Sequence, residues 1–96
     1  MRVVVLTQTE VSKRVEEISM LMEPIIDDNT VPRNIRNAVS EAKRKISTTK
    51  DMSVGLAGAM YLLEDVSSDI NMPSHVRTML WSVISELERF KEETKD

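Results

Sequence analysis

The chain has 96 residues, 41% hydrophobic and 30% charged, with a formal net charge of −3 and no cysteine. That is one domain of ordinary globular composition, and the missing thiols exclude disulfides and thiolate metal sites. Two glycines, three prolines and three aromatic residues are too few turn and strand formers for a sheet-rich fold, and no apolar run reaches the roughly 20 residues of a membrane helix.

The opening MRVVVL is too short for the core of a signal peptide and lacks a small-residue cleavage site. A soluble, intracellular and cytoplasmic chain is therefore expected. Residues 3–6 form a β-branched apolar run open to three readings: an arm lying on the domain, a strand shared with a partner, or an early helical turn. Thr7 and Glu10 have capping-box spacing. From there Val11, Val15, Ile18, Met22 and Ile25 recur every three or four residues, with Lys13, Arg14, Glu16 and Glu17 on the other side. This is the pattern of an amphipathic helix. Pro24 falls inside it, removes a backbone bond and crowds the carbonyl of Met20, which predicts a kink or an early end.

The segment DDNTVPRNIR at 27–36 returns as SDINMPSHVR at 68–77, with Pro32 and Pro73 in matching places 41 residues apart. At that offset Asp28 matches Asp69, Ile35 matches Val76 and Arg36 matches Arg77; upstream, Leu21 matches Leu62 and Glu23 matches Glu64. Apolar sites fall on apolar sites, which predicts a duplicated helical hairpin. A period near 40 is also that of two-helix solenoid repeats, but two units suit closure into a bundle better than an open array. Proline fits the first helical position, Asp, Asn and Thr before it are suited to cap the first turn, and Arg36 and Arg77 are placed to reach back to the loop aspartates.

A second helix is predicted over about 32–48, burying Ile35, Ala38, Val39, Ala42 and Ile46 and presenting Arg33, Arg36, Lys43 and Arg44 largely on one outer face. Residues 32–50 carry net +5 and the rest of the chain −8. STTKDMS is a polar linker between hairpin one (about 7–48) and hairpin two (about 51–91). Asp51 or Ser53 caps a third helix with Leu56, Ala59, Met60, Leu63 and Val66 inward. Gly55 and Gly58 share a face there. Each costs roughly 1 kcal/mol of helix propensity, and close approach of a neighbouring helix is the expected compensation. The fourth helix opens at Pro73, buries Val76, Leu80, Val83, Leu87 and Phe90, and frays after about Lys91.

Little in the chain suggests chemistry. His75 is the only histidine, and a lone imidazole is weak evidence for a metal. Glu16/Glu17 and Glu92/Glu93 are adjacent, so their carboxylates diverge on a helix, and phosphate-loop and dinucleotide motifs are absent. No cofactor, small-molecule substrate or enzymatic activity is expected. Trp81 lies one residue beyond the apolar stripe. It either fills the wider end of the core or stands partly exposed as an interface anchor, with Arg77 one turn earlier and able to stack on it. Met20, Met52, Met60, Met72 and Met79 suit irregular cores and adaptable grooves alike. The basic face of the second helix is open to nucleic acid or to an acidic protein surface. A pI near 5.2 and the lack of aromatics among the basic residues disfavour nucleic acid.

The stretches NTVPRNIR and NMPSHVRTMLW, within a similarity running from about Ile18 to Glu88, resemble a family of small archaeal proteins, uncharacterised protein family 0147. The resemblance implies an all-helical, up-and-down four-helix bundle in an archaeal cytoplasm and no assigned activity. Each half is also similar to a HEAT-type repeat, with proline four residues before arginine at the start of the second helix. The sequence thus predicts a single all-α domain over 1–96, a compact up-and-down four-helix bundle of two duplicated hairpins. Its expected role is protein interaction or scaffolding, including homodimer formation. The expected surface comprises Arg33, Arg36, Lys43, Arg44, Arg77 and Trp81. An RNA- or DNA-associated accessory role through the basic second helix is the alternative.

Overall fold

The computed structural model describes residues 6–94, and the apolar run at 3–5 lies outside them. Four helices follow in order: α1 (Gln8–Ile26), α2 (Arg33–Thr48), α3 (Met52–Val66) and α4 (Ser74–Glu93). Among the described residues there is no strand. The helices form a closed ring in which α1 touches α2 and α4, and α3 touches α2 and α4. Neither α1 with α3 nor α2 with α4 packs together, so like helices do not stack as they would in a solenoid. This is an all-α four-helix bundle.

One core fills the ring. Ile18, Met22 and Ile25 of α1 meet Ile35, Val39, Ala42 and Ile46 of α2, Leu56, Ala59 and Leu63 of α3, and Val76, Leu80, Val83, Ile84, Leu87 and Phe90 of α4. Leu6, Val11, Val15, Met60 and Val66 pack at its edges, and Ile84 joins the stripe expected for α4. Met20 departs from core filling and is 66% exposed.

The helix ends follow from local chemistry. Thr7 N–H donates to Glu10 Oε1 at 2.8 Å and Glu10 N–H to Thr7 Oγ1 at 3.2 Å, a complete capping box. Of the two candidate caps for α3, Asp51 serves, accepting from Ser53 N–H at 3.1 Å. Pro24 lies within α1, and the helix continues two residues past it to Ile26. The carbonyl that loses a donor belongs to Met20, an exposed residue, where water can replace the lost bond. α4 keeps its helical form to Glu93, beyond the fraying expected after Lys91.

The proline turns differ in detail from the expectation. Pro32 (φ −53°, ψ 146°) and Pro73 (φ −59°, ψ 146°) stand at the N-cap rather than the first helical position, and neither helix has a side-chain cap. The loop aspartates brace the turns instead: Asp28 accepts from Thr30 N–H at 2.9 Å and Asp69 from Asn71 N–H at 2.8 Å. The matching arginines do reach back to the loops, but to carbonyls: Arg36 to Val31 O, and Arg77 to Ser67 O and Asp69 O.

The two proline turns meet at one end of the bundle. Asn34 donates to Asp69 Oδ2 at 2.9 Å, and His75 Nε2 lies 3.0 Å from Asp28 Oδ2. Asn34 and His75 occupy matching positions in the two halves, as do Asp28 and Asp69. The contact is therefore reciprocal, the pattern of a two-fold interface.

Candidate interaction surface

The face between α1 and α4 holds an open groove of about 600 Å³ lined by Leu21, Thr78, Trp81, Ser82, Ser85 and Glu86. Trp81 is 51% exposed and Leu21 43%, so the indole lies at the surface and does not fill the core. Helical geometry explains its place. Leu80 takes the inward position on α4, and the next residue is turned about 100° from it. Trp81 then falls on an outer stripe with Thr78, Ser82 and Ser85, all exposed.

Arg77 does not stack on the indole. Its guanidinium is held by Ser67 O and Asp69 O, because free loop carbonyls are stronger partners for its N–H groups than an aromatic face. The one cation–π contact among the described residues is Arg14 over Phe90, at 5.6 Å. Arg14 also binds Glu93 at 2.9 Å, Glu17 at 3.1 Å and Glu86 at 3.2 Å, tying α1 to the end of α4. Burial works against its charge, but the hydrogen bonds to Glu93, Glu17 and Glu86 outweigh this and hold its proton more tightly than usual.

The basic residues of α2 are mostly engaged within the chain. Arg36 binds Val31 O, Lys43 binds Glu23 of α1 at 2.9 Å, and Arg44 pairs with Glu41. The Arg44 hydrogen bond holds the Glu41 carboxyl below its ordinary range. Arg33 is exposed and forms no ion pair among the described residues. These four residues and Trp81 therefore do not form one site: Trp81 belongs to α1–α4, the cations to α2 and its seams.

At the proline-turn end, the hydrogen bond from His75, followed by those from the Thr30 side chain and backbone, holds the Asp28 carboxyl down to about 2. Asp69 is lowered chiefly by Asn34, then by Asn71 N–H. Ile70, 92% exposed, projects from the same end. Neither the cross-turn pairs nor the Arg14 hub was legible as a site. The signal for the former lay in the repeat alignment, which places Asn34 opposite His75. Among the described residues no group of three or more His, Asp or Glu could hold a metal ion, and no helix is long and apolar enough to cross a membrane.

Fold and surface together define a small four-helix bundle with one tryptophan-bearing groove. Residues 3–90 match uncharacterised protein family UPF0147, and the chain belongs to that family. A UPF0147 protein of Archaeoglobus fulgidus is 48% identical over 81 residues, 84% of this chain and 93% of that protein. One from Methanocaldococcus jannaschii is 44% identical over 75 residues, 77% and 81% of the two chains. Two crystal structures are similar, each with a TM-score of 0.76. One is a protein of unknown function, 40% identical, with 86% of this chain and 92% of that one covered. The other is a UPF0147 protein from Thermoplasma acidophilum, 30% identical, with 82% and 94% covered. The family is uncharacterised, and these names assign no activity.

Proposed function

We propose that the chain is a non-enzymatic interaction module that holds a protein partner in the groove between α1 and α4. The observation that carries this reading is Trp81, half exposed beside Leu21 in a wall completed by Thr78, Ser82, Ser85 and Glu86. Tryptophan is enriched among the residues that dominate binding energy, and an exposed apolar patch around it gains by being covered. The duplicated hairpin, with its HEAT-like proline spacing, belongs to the same proposal. The reciprocal Asn34–Asp69 and His75–Asp28 contacts support it and give the module a braced frame. The cytoplasm is the compartment in which we place it, and a cysteine-free chain suits that setting. The alternative, an RNA- or DNA-associated role through Arg33, Arg36, Lys43 and Arg44, has less support. Three of these four cations already have partners in the chain, whereas phosphate binding draws on available positive charge.

The test is Trp81→Ser, which installs the residue found at the matching position, Ser40. Unfolding free energy should stay within about 0.5 kcal/mol of the parent, as for other surface changes. Immobilised parent chain, offered purified chain and cell extract in turn, should retain protein that the variant does not. Equal retention by both, or none by either, overturns the reading. Retention of labelled oligonucleotide that falls steeply with salt would establish the alternative in its place.

A further inference from the structure

The charge on α4 is divided into two blocks. Residues 74–85, SHVRTMLWSVIS, hold no carboxylate and include His75 and Arg77; residues 86–93, ELERFKEE, hold four glutamates and two cations. Acidic groups at the end of a helix oppose its dipole, and Arg14 reaches across from α1 to Glu86 and Glu93 of this block. A helix divided in this way is complementary to an antiparallel copy of itself and repels a parallel one.

The shape of the same face agrees. The outer stripe of α4 runs Ser74, Thr78, Trp81, Ser82, Ser85, Glu88, all exposed. Its one bulky residue stands near the middle of the helix, flanked by small side chains. We propose that a second copy of this chain occupies the groove, α4 against α4 in antiparallel sense about a two-fold axis near Val83. This rests on the interaction reading above and names its partner. Trp81 of each copy then covers Ser85 of the other, and the acidic end of each helix lies over the carboxylate-free half of its mate. The contact is isologous and closes at two subunits.

Sedimentation from micromolar to millimolar concentration tests the association, and crosslinking tests the direction. The parent should show a monomer–dimer equilibrium that Trp81→Ser weakens about thirtyfold, the effect of losing a hot-spot residue. The parent lacks cysteine, so an oxidised mixture of Thr78→Cys and Glu88→Cys chains is a clean probe. The antiparallel pair yields the mixed disulfide far beyond the roughly twofold excess over either homodisulfide that random pairing of the two chains gives by mass action. A strictly monomeric parent at millimolar concentration, a dimer indifferent to Trp81→Ser, or an excess of homodisulfides would each overturn the inference. A monomeric parent that still retains another protein through Trp81 overturns this inference and leaves the interaction reading standing.

Discussion

The seam between α2 and α3 and the seam between α1 and α4 are built from matching residues with opposite chemistry. At the first, a Cβ on Gly55 would meet Thr49 Cγ2 at 2.5 Å and Lys45 O at 3.0 Å, and one on Gly58 would meet Lys45 Cδ at 3.0 Å. Forty-one residues earlier or later stand Arg14, Glu17, Phe90 and Glu86. At the second seam Arg14 lies over Phe90 and donates to Glu86 O at 3.5 Å. Arg14 thus touches the counterparts of the residues that Gly55 touches. Where there is no side chain, α2 and α3 form the most extensive of the four helix interfaces. Where there is a guanidinium among three carboxylates, the seam carries the groove beside Trp81. The bundle thus has a closed seam at Gly55 and an open one at Arg14, two positions 41 residues apart.

Changing those positions should affect the seams unequally. Gly55→Leu should have the largest effect, a loss of about 3 kcal/mol in urea unfolding, since Thr49 is short and branched and the Lys45 carbonyl belongs to the helix backbone. Gly55→Ala should also destabilise, despite the roughly 1 kcal/mol of helix propensity it gains. Arg14→Ala should cost about 1–2 kcal/mol, because it strips the cover from Phe90 and leaves Glu17, Glu86 and Glu93 facing one another. Arg14→Met keeps the aliphatic cover and should recover part of that loss, so the gap between the two variants reads the cover and the gap between Arg14→Met and the parent reads the charge. Gly58→Ala should go the other way, with a gain of up to about 1 kcal/mol, since the nearest atoms in its path belong to the flexible Lys45 side chain. A loss at Gly58 equal to that at Gly55 would mean that the whole face, not one position, sets the approach of α2.

The bundle was legible because its code is periodic. Apolar stripes at helical spacing marked nearly the whole core, and Thr7 with Glu10 announced the capping box. Gly55 and Gly58 were legible for the same reason, as two small residues on one face. Trp81 was half legible: its position at the margin of the stripe admitted both core and surface, and periodicity has no power to choose between neighbours on a helix edge. Pairings across the ring were not legible. Arg14 reaches residues more than seventy positions away, and Arg77 takes loop carbonyls whose direction depends on the turn. The intrachain partners of the basic α2 stripe were illegible for a related reason. Charge on one element says nothing of the carboxylate that a neighbouring helix brings to it, as Glu23 is brought to Lys43.

The smallest effect belongs to the end of the bundle where the halves treat each other alike. Asp28 and Asp69 each take one donor from the other hairpin, His75 in one case and Asn34 in the other. His75 is the first cause of the lowering of Asp28 from 3.8 to about 2. A carboxyl held below its unfolded value adds stability that is fully present above that value and disappears as pH falls through the folded one. Acid unfolding between about pH 4 and pH 2 should therefore include the release of Asp28, and Asp28→Asn should flatten that part of the curve. The direct measurement is the carboxyl carbon shift of Asp28 against pH. His75→Ala should move its midpoint up toward 3.8 and leave Asp69 where it is. Asn34→Ala should raise Asp69 alone. His75→Asn, which gives the second half the residue of the first, keeps a neutral donor and should leave Asp28 between the parent and the alanine variant. An Asp28 midpoint indifferent to all three would assign the lowering to Thr30 within the turn, and the reciprocal bracing would then amount to one hydrogen bond from Asn34 and a bystander imidazole.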